Sequence, residues 1–67
     1  MTYYEGITDG ELRLVRHHLE AALDALERAK HFAGSSATLA HEIQSDITSV
    51  IMQMASIDDA RRHLPKP

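Results

Sequence analysis

No cysteine occurs in the 67 residues. Disulfide stapling and every thiolate metal site are thereby excluded, two of the devices that hold short chains together. The only prolines stand at positions 65 and 67 and the only glycines at 6, 10 and 34. Residues 11–33 and 35–64 therefore hold nothing that would break a helix. No apolar run approaches the roughly 18 residues that a membrane span requires. The opening stretch, residues 1–11, is acidic and lacks the basic-then-apolar order of a signal peptide. These absences predict a cytoplasmic protein with no membrane partner. Positive charge is also scarce: seven Lys and Arg against ten Asp and Glu give a formal charge of −3. A general nucleic-acid binder needs a basic surface for phosphates, so nucleic acid is not the expected partner.

What is present reads as two helices and one turn. Thr8-Asp9-Gly10-Glu11 is a capping box, in which the Thr8 hydroxyl accepts from the backbone three residues on and Glu11 reaches back. Ile7 and Leu12 flank it as a hydrophobic staple. Gly34 stands where a left-handed residue after a helix is wanted, and Ser35 and Ser36 offer an N-cap for the next one. Pro65 stops the second helix, and Arg61, Arg62 and His63 suit its negative end. The prediction is one all-α domain over 1–67: helix 1 about 9–33, turn 34–36, helix 2 about 37–64.

Apolar residues then recur in steps of three and four. Leu12, Val15, Leu19, Ala22, Leu26, Ala29 and Ala33 form one seam; Ser36, Ala40, Ile43, Ile47, Val50, Met54, Ile57, Arg61 and Leu64 form the other. Such heptads favour near-parallel, coiled-coil-like packing of helix axes. Folded about the turn as an antiparallel hairpin, the seams pair layer by layer. Ala29 meets Ala40, Leu26 meets Ile43, Ala22 meets Ile47, Leu19 meets Val50, Val15 meets Met54 and Leu12 meets Ile57, with Thr8 facing Arg61 at the mouth. Tyr3 and Tyr4 close the open end near His63 and Leu64, and Lys66 lies in a frayed tail.

Two helices bury one stripe each, yet Leu14, Leu23, Phe32, Leu39, Ile51 and Met52 fall outside these seams. Contiguous exposed apolar area marks an interface. The simplest way to cover it is a two-fold homodimer forming a four-helix bundle, and a different protein partner would serve the same surface. The sequence thus predicts a small non-enzymatic regulatory or scaffolding module acting by protein binding through those six residues.

Chemistry-bearing residues are present but dispersed. His17, His18, His31, His41 and His63 contain no i, i+3 or i, i+4 pair, the spacing that lets one helix face hold zinc. His17 and His18 are neighbours and point about 100° apart. No glycine-rich phosphate loop or nucleophile elbow is present. Carboxylates are spread along polar faces in pairs such as Asp24–Arg28. Neither a catalytic site nor a metal or cofactor site is expected.

Ten residues, 41–50, carry one family resemblance. His41, Glu42, Ile43, Thr48 and Val50, with Ile47 for a leucine, resemble the phospho-acceptor box of the sensor histidine kinases; Asp46 stands where that box has proline. The resemblance implies a dimeric bundle in which His41 is a phosphorylatable imidazole and Glu42 its neighbouring acid. That phosphotransfer or kinase-mimic role is the alternative reading. In architecture alone the chain is also similar to the plasmid repressor-of-primer family, short acidic hairpins that dimerise and bind paired RNA loops. RNA binding by such a hairpin would fall to Arg13, Arg16, Arg28 and Lys30, which here are interspersed with Glu20 and Glu27.

Overall fold

A computed structural model describes residues 4–64, which form two helices, α1 over Asp9–Ala33 and α2 over Ala37–Arg62. Both starts are built locally. The Thr8 hydroxyl accepts from the Glu11 backbone N–H at 3.1 Å, and the Glu11 carboxylate accepts from the Thr8 backbone N–H at 3.1 Å. Two donors that the first turn leaves without partners are thus satisfied reciprocally. Ile7 and Leu12, on either side of this box, pack into the same apolar cluster. At α2 the cap is Ser36, whose Oγ accepts from the Leu39 N–H at 3.3 Å. Between the helices Gly34 takes φ 53° and ψ −110°.

α1 and α2 pack on each other as a helical hairpin, 51 Å in its longest dimension. Leu12 and Ile57, each 2% exposed, are its most deeply buried side chains. They share a cluster with Ala60, against which Ile7, Leu19 and Leu64 pack. Ile47 is the other buried side chain. The core is therefore concentrated at the open end and in the middle, and it thins toward the turn.

The α1 seam differs from the expected one. Leu12, Leu19, Leu26 and Ala33 recur every seventh residue and all face inward, buried or half-buried. The second heptad position is where expectation and structure part. The apolar spacing assigns Val15, Ala22 and Ala29 to it, but all three are exposed. Arg16 and Leu23, one residue further on, are half-buried instead. The cause is the size of what can be buried. Turning α1 to bring Leu23 inward gains several methylene groups over Ala22, at roughly 0.8 kcal/mol each. The same turn lays the Arg16 stem along the seam while its guanidinium reaches Asp58. Leu23 accordingly belongs to the hairpin's own packing.

Candidate interaction surface

Polar groups bridge the helices along one flank. The Arg16 Nε donates to Asp58 Oδ1 at 2.8 Å, and Arg61 Nε donates to Asp9 Oδ1 at 2.7 Å. Each pair gains a further partner from α1: Glu20 pairs with Arg16, and Asp9, already held by Arg61, also accepts from Arg13 Nε at 2.9 Å. Nearer the turn, Lys30 Nζ donates to Gln44 Oε1 at 2.5 Å. This clasp bridges the helices along that flank, and its members face solvent enough to be screened by salt.

The clasp and the α1 capping box shift the titration of their members. The hydrogen bond from Arg61 holds the Asp9 carboxyl below its ordinary value, and bonds from Thr8 do the same for Glu11. The Asp58 carboxylate pushes the Arg16 guanidinium further up. Asp9 and Glu11 therefore release their protons more readily folded than unfolded. Their contribution is complete above the ordinary values of 3.8 and 4.5 and is lost as pH falls through the lowered folded ones. Thermal melts from about pH 6 down to about pH 2 should show a midpoint that falls once the pH drops below those ordinary values. Asp9→Asn should make the fall shallower; an unchanged slope in that variant would mean Asp9 is not coupled to folding.

The five histidines do not assemble. His17, His18, His31, His41 and His63 are all exposed. The His17 and His18 rings meet edge to face at 5.6 Å between centroids. No group of three or more His, Cys, Asp or Glu able to hold a metal is found among the described residues. His41 and Glu42 lie in the second turn of α2, both exposed. His63 caps the end of α2, its Nδ1 2.8 Å from the Asp59 carbonyl oxygen.

Five of the six expected interface residues are on the outside. Leu14, Phe32, Leu39, Ile51 and Met52 are exposed, Phe32 to 84%, whereas Leu23 is half-buried in the seam. They do not form one patch. The clasp joins one flank of α1, carrying Arg16 and Lys30, to the flank of α2 that carries Asp58 and Gln44. By helical spacing Ile51 lies on that clasp face. The exposed Val15, Ala22 and Ala29 lie on the opposite face of the hairpin, with Gln53 as their neighbour on α2.

On this opposite face lies a feature that the heptads do not announce. Tyr4, Ile7, Leu12, Val15, Gln53 and Ile57 line an open apolar pocket of about 200 Å³. The Tyr4 hydroxyl is fixed there by a 2.9 Å hydrogen bond with Ser56 Oγ. Tyr4 stands at the open end, its hydroxyl on Ser56; Tyr3, Pro65 and Lys66 lie outside the described residues. The pocket is not legible in the sequence because it depends on where residues before the helix cap return to α2. No described helix is long and apolar enough to cross a membrane. No protein-family model matches this chain, and no curated protein or solved structure matches it either.

Proposed function

We propose that this chain is a non-enzymatic protein–protein interaction or regulatory module that works as a small cytoplasmic homodimer, its two hairpins forming a four-helix bundle. The observation that carries the reading is the imbalance between inside and outside. Among the described residues four apolar side chains are buried, while Leu14, Val15, Phe32, Leu39, Ile51 and Met52 are exposed on a chain with no disulfide to stabilise it. A single core of this size supplies only about 3–5 kcal/mol, and association is the usual supplement. Covering such apolar area would stabilise fold and interface together.

The test is absolute mass by light scattering on a sizing column, over a wide range of loading. The expected result is a stable species near twice the 7.5 kDa of one chain. A folded species at the mass of one chain would sink the homodimer. A second reading, phosphotransfer at His41, draws support from the exposure of that imidazole beside Glu42. It requires that His41→Ala abolish function, whereas the interaction module tolerates that change and loses function when Phe32 is made charged.

A further inference from the structure

The faces left open on α1 are sharply divided by charge. Beyond the first turn, all of α1's charged residues (Arg13, Arg16, Glu20, Asp24, Glu27, Arg28 and Lys30) fall, by helical spacing, on one side of the helix. The other side, over five turns, carries Val15, His18, Ala22, Ala25, Ala29 and Phe32 in alternating steps of three and four. All six are exposed. At one end of this row stands Phe32, with almost nothing around its ring but the edge of His31. At the other end Val15 forms one wall of the apolar pocket. A knob and a hole thus terminate the same row, about 25 Å apart at 1.5 Å per residue.

We propose that a second copy of this chain docks on this face, α1 against α1 and antiparallel, and that each Phe32 ring enters the pocket of the other copy beside Val15. The inference rests on the homodimer reading and names its interface. A two-fold axis exchanges the ends of the row, so the knob of each copy meets the hole of the other. Centred between Ala22 and Ala25, it pairs Phe32 with Val15, His18 with Ala29 and Ala22 with Ala25. Every member of the row then faces another member. The alanines at the centre let the axes approach to the short end of the usual 8–10 Å, which brings Phe32 within reach of the pocket. Size fits as well. Roughly 150 Å³ of apolar cavity is enough to admit benzene, and the pocket offers about 200 Å³. Antiparallel helices also set their end charges against opposite partners. The α2 flank on this face, with Gln53, Ser49 and Asp46, provides a polar rim.

The chain has no tryptophan, so Phe32→Trp places a single reporter at the knob. Its emission should be water-like in dilute solution and shift to the blue as concentration rises, in step with the mass from light scattering. Ala25→Glu sets two carboxylates at the axis and should raise the dimer dissociation constant at least about a hundredfold, while Ile51→Glu on the clasp face leaves it within a few-fold. Ala25 and Ile51 are both exposed, so helical circular dichroism should be retained in each variant. Dimers that persist undiminished in Ala25→Glu, or a reporter whose emission stays water-like in the dimer, would overturn this interface and leave the homodimer reading standing. A wild-type chain monomeric at every concentration would overturn both.

Discussion

Ile57→Ala should abolish stable folding of the isolated hairpin at room temperature. Ile57 and Leu12 are the largest of the described side chains almost wholly removed from water, and Ala60, Ile7, Leu19 and Leu64 pack around them. Truncating a buried isoleucine to alanine costs about 2–5 kcal/mol, because transfer energy is lost and a cavity remains. A single core of this length supplies only about 3–5 kcal/mol in total. The loss therefore consumes most of the margin, where in a larger domain it would only lower the midpoint. Urea titration followed by helical circular dichroism, at concentrations below any association, measures it directly. Met52→Ala is the comparison: that side chain is exposed and its removal should change stability by no more than about 0.5 kcal/mol. Equal effects of the two substitutions would mean the core does not lie at the open end.

Two glycines should respond to alanine with opposite signs. Gly34 joins the helices at φ 53° and ψ −110°, a combination that L side chains scarcely adopt. An added Cβ there meets nothing nearer than the Phe32 carbonyl oxygen at 3.8 Å, an ordinary contact. The cost is thus one of backbone conformation, on the order of 1–3 kcal/mol. In a hairpin this small it should lower the melting point by many degrees or reshape the turn. Gly10, by contrast, sits within the first turn of α1, and a Cβ there meets only the Thr8 hydroxyl oxygen, at 3.9 Å. Gly10→Ala should stabilise by about 0.4–1 kcal/mol, since alanine narrows the unfolded ensemble without straining the helix. Chemical denaturation of both variants checks the pair. A neutral Gly34→Ala would show that the turn is free to choose another conformation.

The elements with local causes are readable from the residues. The Thr8–Glu11 box, the Ile7–Leu12 staple, the Ser36 cap and the turn at Gly34 each depend on residues within five positions of one another, and each is formed. The Leu12–Ile57 layer is legible too, because both residues stand at heptad positions whose neighbours are equally apolar. The candidate site is less so. Exposure of Leu14, Phe32, Leu39, Ile51 and Met52 follows from their distance from the seam. Leu23 is misplaced by the same reasoning, and neither the Arg16–Asp58 clasp nor the pocket under Tyr4 carries a short-range signal. Their partners are 42 and 52 residues apart.

The helical character of the chain, its caps and its reversal at Gly34 follow from the amino-acid order alone, since backbone propensity and i, i+3 or i, i+4 contacts decide them. Which side of α1 faces α2 does not. With Leu12, Leu19, Leu26 and Ala33 common to both, the seam could be completed by Val15, Ala22 and Ala29 or by Arg16, Leu23 and Lys30. Period alone cannot separate two heptads that share every seventh residue. Packing against α2 separates them. Leu23 buries more apolar surface than Ala22, Arg16 finds Asp58, and Lys30 finds Gln44 across the interface. That rotation turns Val15, Ala22 and Ala29 outward, and so decides which face of α1 the hairpin leaves uncovered.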